Sequence, residues 1–238
     1  MLTLNYAEDT AAEAPSQHLG LEDFERAGVR VAERRFGEKD TIFDPGDPDS
    51  QLYILLEGTV RLYKIYGDYK EATITLLKDG GVFGALSLDE VPCENAFAEA
   101  VTDVQVAKVR KSALNEVIKR RPSFAMKLFF AFSERFRQSD EVIESLLNRE
   151  VAARLATLLL NLGERFGESG ESGTVLKVRL THQDLASMIV STREAVSKVM
   201  SEFQREGLIE VRNRRISVFP QLARIRLDGP SSIPDAAA

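Results

Sequence analysis

Not one Gly or Pro falls between Ser123 and Glu150, whereas the eighty or so residues before that stretch are broken by one or the other at every turn. A chain that changes grammar this sharply has a sheet-forming part and a helical part, and few architectures accommodate both in that order. From about 28 to 110, short apolar runs alternate with Gly and Pro: TIFDPGDPDSQLYILLEG, TVRLYKIYGD, EATITLLKDGG and VFGALS. Such runs read as strand–turn–strand and predict a β-sandwich or barrel. Gly37, Gly46, Gly58, Gly67 and Gly80 fall at the turns, where left-handed backbone is the expected reason for them.

After Arg110 the pattern is helical. Lys111–Lys119 predicts a short helix, broken at Arg121-Pro122, and Pro122 suits the first turn of the next. Beyond it Leu128, Phe132, Arg135, Ser139, Val142, Leu146 and Arg149 recur at spacings of four and three, with Phe129, Phe136 and Ile143 as a neighbouring stripe at spacing seven. Two adjacent stripes exceed what docking on a sheet requires. One can pack on the β-domain and the other on a second copy of the helix; the alternative is a single broad core-facing stripe in a monomer. Leu128, Phe132, Arg135, Ser139, Val142 and Leu146 are the dimer candidates. Val151–Phe166 predicts a further helix, GESGESG a loop and Val175–Leu180 a short strand.

The stretch Thr181–Phe219 carries the functional signal. In THQD, Thr181 is a plausible N-cap with Asp184 three residues on, and Leu185, Met188 and Ile189 continue as a short helix. STRE repeats the signature, with Ser191 as N-cap and Glu194 at the third helical position. Val196, Val199, Met200 and Phe203 follow at helical spacing and Gly207 ends the helix. Two short helices joined by a few residues make a helix-turn-helix over 181–206, and LIEVR–NRR–ISVF reads as a two-stranded wing. Removing the apolar face leaves Arg193, Glu194, Ser197 and Lys198 exposed at the start of the second helix, the part that enters a major groove. Arg donates twice to guanine and Glu accepts from cytosine. A role for Glu194 in capping alone is the competing reading. Arg212, Arg214 and Arg215 place cations on the wing.

Charge agrees with this division. The whole chain of 238 residues has net charge −6, yet 151–226 holds 12 basic and 8 acidic residues. Of the totals of 31 and 37, the remainder carries 19 and 29. A basic block on an acidic one suggests a nucleic-acid-binding domain joined to something else. Cys93 is the single cysteine, and His18 and His182 are the two histidines. That excludes an internal disulfide and a four-cysteine cluster, and leaves no metal or cofactor expected. No run approaches about 18 apolar residues, and the N-terminus has no basic-then-apolar pattern, so neither a membrane span nor a secretory signal is expected and the cytoplasm is the default.

Gly37–Asp47 (GEKDTIFDPGD), Leu52–Leu62 (LYILLEGTVRL) and Asp184–Val199 (DLASMIVSTREAVSKV) together resemble the bacterial CRP/FNR family of transcription regulators across about 30–222. The resemblance implies an α+β chain: a cyclic-nucleotide-binding-type β-roll (21–120), a long dimerisation helix (121–150) and a winged helix-turn-helix DNA-binding domain (151–225). Tails at 1–20 and 226–238 complete it. It implies a homodimer, a palindromic double-stranded DNA site, RNA polymerase as a partner and an effector pocket between β-roll and central helix. By motif match, Arg193, Glu194 and Lys198 take base-reading positions. Thr181, Gln183 and Ser191 take phosphate-contacting ones, with Thr192, Ser197 and wing Arg214 beside them. Val190 stands in the turn where relatives commonly carry Gly; a positive φ there strains a β-branched residue.

The family also narrows the effector. An oxygen-sensing cluster lacks its cysteines here and a haem lacks its histidine. The family's cyclic-AMP pocket uses a Glu after the phosphate-loop Gly and an Arg-Ser pair. Here Ala85 follows Gly84, and the pair's region reads Cys93-Glu94-Asn95-Ala96. Phe83–Leu88 (FGALSL) and the helix after Ile143 are most similar to the cyanobacterial nitrogen-control regulators. In that branch backbone N–H groups of a Phe-Gly-x-Leu loop, an Arg from a following loop and an Arg from the partner's central helix hold 2-oxoglutarate. Phe83, Gly84, Ala85 and Leu86 match the loop, Arg135 matches the helix Arg, and Asp140 stands where that branch has Glu. The loop Arg is missing. Weakened 2-oxoglutarate binding, another small anion and no effector all stay open. Outside this reading stand a sensory or scaffolding module with a degenerate DNA-binding domain, motivated by Val190, and a cupin-type enzyme, whose barrel ligands the histidine-free β-region does not supply.

Overall fold

A computed structural model describes residues 18–45, 51–67, 70–84, 96–147, 150–170 and 173–228. Eight strands form two four-stranded antiparallel sheets. They are β1 (Ala32–Phe36), β2 (Thr41–Phe43), β3 (Leu52–Glu57), β4 (Val60–Tyr66), β5 (Lys70–Leu77), β6 (Val82–Gly84), β7 (Phe97–Ala100) and β8 (Val104–Val109). One sheet runs β1-β8-β3-β6 and the other β2-β7-β4-β5. Ile42, Phe43, Leu62 and Ala98 of one meet Leu55, Phe83, Val104 and Val106 of the other in a shared core. Apolar burial of this kind stabilises by roughly 25 cal/mol per Å². Tyr53 and Phe83 stack inside it, ring centroids 5.2 Å apart.

Three of the anticipated turn glycines hold positive φ: Gly58 at 99°, Gly67 at 49° and Gly80 at 81°. Gly58 has a second constraint, since a Cβ there would stand 2.4 Å from the Asp103 carbonyl oxygen. In the turn after Gly37 it is Lys39 that takes the left-handed conformation, at φ 71°. Gly46 lies outside the described residues.

Against the outer face of the first sheet pack α1 (Leu21–Ala27), α2 (Lys111–Arg120) and the start of α3 (Pro122–Leu147), through Phe24, Ile54, Val109, Val117 and Phe124. Phe24 meets Phe124 edge-on at 5.2 Å, and the buried carboxylate of Asp23 takes Lys127 at 2.8 Å. The expected N-terminal tail therefore ends earlier than residue 20, because Leu19 is 1% exposed in this core.

The remaining elements form a head. It comprises α4 (Val151–Phe166), β9 (Gly167–Ser169), β10 (Thr174–Leu176), α5 (His182–Met188), α6 (Arg193–Arg205), β11 (Ile209–Arg212), β12 (Arg215–Val218), a 3-10 turn (Pro220–Leu222) and α7 (Ala223–Asp228). Its sheet runs β11-β12-β10-β9. The expected strand Val175–Leu180 begins one residue earlier and stops at Leu176, and β9 lies within what reads as loop. The second expected tail is likewise shorter, because α7 runs through Asp228. Leu155, Leu159, Leu185, Val196, Met200 and Phe203 form the head's core, and β5 contributes Leu76 to it.

Candidate nucleic-acid interface

Thr181 caps α5 as its sequence predicts. Its hydroxyl accepts from the Asp184 N–H at 3.1 Å and donates to the Asp184 carboxylate at 2.7 Å, which also takes the Thr181 N–H. Asp184 thus occupies the Thr181 hydroxyl hydrogen, and Gln183, the second residue of the helix, stands exposed beside it. The helix ends at Ile189 and Val190, with Val190 at φ 50° and the Ser191 N–H closing back on the Ala186 carbonyl at 2.9 Å. This is a Schellman turn with valine in the position Gly normally fills. The strained turn anticipated for Val190 is present.

The cap of α6 is Thr192, not Ser191: the Thr192 hydroxyl accepts from the Ala195 N–H at 3.2 Å. The correction moves Arg193 and Glu194 to the first and second helical positions. Ala195, not Glu194, then sits third, so Glu194 completes no capping box and the competing reading loses its basis. Val196, Val199, Met200 and Phe203 are buried, whereas Arg193, Glu194 and Lys198 are exposed. Among the described residues no hydrogen bond or ion pair holds these three side chains. Ser197, expected to be exposed with them, is half-buried and bonds His182 Nδ1 at 2.7 Å, tying α6 to α5. A lone histidine on the polar side of a cap gave no sequence signal for that tie.

β11 and β12 pair as Arg212↔Arg215, which leaves Asn213 and Arg214 as a two-residue turn with φ 51° and 63°. Two positive φ values define the type I′ turn that favours Asn-Gly; here Arg takes the second place. Arg212 is held by Glu210 at 2.6 Å, so the exposed Arg214 at the wing tip is the freer cation.

Helix α3 separates the two stripes differently from the sequence reading. Leu128 and Phe132 pack against the β-roll core, and Val142 lines an interior hollow with Thr75, Leu158 and Ile189. Outward stand Phe129, 61% exposed, Phe136, 70%, Ile143, 60%, and Leu146, 42%. Phe132, Phe136 and Ser139 border one outward dimple, so the apolar seam reads 129, 132, 136, 139, 143, 146, alternating three and four. Leu128, Phe132 and Val142 are half-buried within the chain, so the fully outward part of the seam is Phe129, Phe136, Ile143 and Leu146.

Of the effector residues, Ala85 and Leu86 lie outside the described residues, as do Cys93, Glu94 and Asn95. The Phe83 side chain is wholly buried against Tyr53, which leaves only its backbone for the expected role. A Cβ on Gly84 (φ 89°) would meet the Gln51 carbonyl at 2.3 Å. Arg135 is half-buried and borders a hollow of about 670 Å³ with Lys78, Gly80, Gly81 and Val82; Asp140 is exposed and does not line it. Glu134 and Glu141 are both taken by Arg137, whose hydrogen bonds hold the Glu134 carboxyl below its ordinary range. Among the described residues no group of His, Cys, Asp and Glu could hold a metal ion, and no helix is long and apolar enough to cross a membrane.

A β-roll followed by a long helix and a winged helix-turn-helix defines a class of effector-responsive DNA-binding regulators. Residues 33–121 match the cyclic nucleotide-binding domain and residues 153–225 the Crp-like helix-turn-helix domain. The chain is 34% identical over 191 residues to the global nitrogen regulator of Synechococcus elongatus, covering 79% of this chain and 86% of that one. It is 32% identical over 185 residues to the global nitrogen regulator of a Nostoc species, covering 77% and 83%. Among solved structures, a CRP-family transcriptional regulator from Thermus thermophilus superposes with TM-score 0.66 at 28% identity, covering 81% of this chain and 96% of that one. The chain belongs to the CRP/FNR family of transcription regulators.

Proposed function

We propose that the chain acts in the cytoplasm as a homodimer that binds palindromic double-stranded DNA and works on transcription with RNA polymerase. The observation that carries this reading is the start of α6, where Arg193, Glu194 and Lys198 stand exposed and unengaged on a rigid, capped helix. Arg193 reads guanine and Glu194 accepts from cytosine. Thr192, Ser191, Gln183 and Arg214 contact phosphates, and Ser197 positions the helix. The seam of Phe129, Phe132, Phe136, Ser139, Ile143 and Leu146 supports pairing of two copies along α3. Titration of labelled genomic fragments against unlabelled competitor, followed by anisotropy, tests the reading. Retention of a few fragments at moderate salt supports it, and binding of all fragments alike contradicts it.

In the hollow lined by Lys78, Asp79, Glu134 and Arg135, the cations Lys78 and Arg135 are the groups a small anionic effector would use. The similarity to global nitrogen regulators makes 2-oxoglutarate the first to test. With the loop Arg missing, it binds more weakly than in a two-arginine site. The test is whether millimolar 2-oxoglutarate changes operator affinity: a change in wild type that Arg135→Ala abolishes supports it, and no change in wild type removes this effector.

A further inference from the structure

The head meets the β-roll through a buried polar chain. Arg61, on β4, has a side chain 8% exposed. Its Nη2 donates to Glu71 at 2.6 Å, its Nη1 lies 3.9 Å from Glu99, and its guanidinium stands over the Tyr63 ring at 4.4 Å. Its Nε donates to the Thr73 hydroxyl on β5 at 2.8 Å. Thr73 Oγ1 lies 2.7 Å from Ser187 Oγ on α5, 114 residues away, and Arg61 Nη2 reaches the same Ser187 oxygen at 3.3 Å. Ser187 donates to the Asp184 carbonyl at 2.7 Å. A hydroxyl has one hydrogen, so the direction is fixed: Arg61 to Thr73, Thr73 to Ser187, Ser187 to Asp184. Thr73 and Ser187 are 5% and 4% exposed, so each depends on the other and on Arg61 for its hydrogen bonds. A buried hydrogen-bonded chain favours one geometry, because a small slide of α5 on β5 breaks its bonds together. Beside it the Leu76 side chain enters the head's core, where burial alone sets no direction, and the Leu76 carbonyl accepts a hydrogen bond from Arg165 of α4. The docked head leaves Arg193, Glu194 and Lys198 exposed, so the joint does not mask the reading face.

We propose that the Arg61–Thr73–Ser187 chain is the joint that fixes the head's orientation on the β-roll, and that it thereby sets the half-site spacing the dimer accepts. The inference rests on the DNA-reading function proposed above. Ser187 and Thr73 are positioning residues: they touch no DNA and act through the orientation of α6. Full-length protein is titrated against duplexes carrying its preferred palindrome at the preferred spacing and with one or two base pairs inserted at the centre. Wild type loses about tenfold or more in affinity per insertion, the scale of a single mismatch. In Ser187→Ala, and more so in Thr73→Val with Ser187→Ala, the insertion penalty falls to about threefold or less, since heads freed of a directional joint adapt to either spacing. Thr73→Ser keeps the hydroxyl and the wild-type penalty. Circular dichroism melts and light scattering confirm folded protein of unchanged mass; should the double variant not fold, Ser187→Ala carries the test. Variants that keep the full insertion penalty, or lose affinity equally at every spacing, overturn the joint. A wild type with no preferred sequence overturns the DNA-reading function instead.

Discussion

Val190→Gly is expected to stabilise the protein, because Val190 holds φ 50° with its side chain 57% exposed. An L-residue in the left-handed region costs about 1–2 kcal/mol, and a β-branched one sits at the upper end. Against that, Gly loses about 0.5–1 kcal/mol more chain entropy on folding. So exposed a side chain gives up little apolar burial when removed. The balance is a gain of roughly 0.5–1 kcal/mol, or a few degrees in melting temperature for a unit the size of the head. Gly207 offers an internal comparison: it ends α6 in the same kind of turn at φ 67°, with the Leu208 N–H closing on the Phe203 carbonyl at 2.9 Å. Differential scanning calorimetry of wild type, Val190→Gly, Val190→Asn and Val190→Ala is the assay. Asn tolerates left-handed backbone without the entropic loss and should gain at least as much as Gly. Ala keeps a Cβ and should gain least. If Ala matches Gly, or Gly lowers the melting temperature, backbone strain at Val190 is not the operative term.

Phe136→Glu or Ile143→Glu should give folded monomer by light scattering, because an unpaired charge inside the seam costs several kcal/mol. Val142→Glu instead should lower the melting temperature, since Val142 lines the interior of one chain. A Phe136→Glu protein of dimeric mass contradicts the seam. Burial pushes the Glu99 carboxyl above its ordinary value, outweighing the pull of Arg61. The folded state therefore binds more proton than the unfolded one between the two values, and stability falls as pH rises through that window. Glu99→Gln should raise the melting temperature at neutral pH, with a gain that shrinks below the ordinary carboxylate range; a gain that grows on acidification contradicts this. Arg214→Ala should weaken binding to all sequences alike and reduce the salt slope by about one per subunit.

The helices of the head and the glycine-free α3 were legible because apolar periodicity and caps are local signals. Thr181 and Gly207 do what their sequence context requires. The boundary at α6 was not, since Ser191 and Thr192 are both good caps and the choice follows from where the Schellman turn at Val190 releases the chain. The two stripes of α3 were visible, but which faces inward depends on the β5 and α4 surfaces it meets, a tertiary fact. The joint at Ser187 left no trace in spacing, because its partners lie 114 and 126 residues away. Ser187 reads as an ordinary small residue inside a short helix.

Selection of binding sites from random duplex DNA, with wild type and Arg193→Ala in parallel, decides whether α6 reads base sequence. Wild type should select a palindrome with half-sites centred about 10 to 11 base pairs apart and a guanine in each. Arg193→Ala should select the same palindrome with preference at that guanine relaxed, and lose about 1–3 kcal/mol of affinity per half-site. Enrichment of no sequence by the wild type, or the same guanine preference in both proteins, would contradict base reading by Arg193.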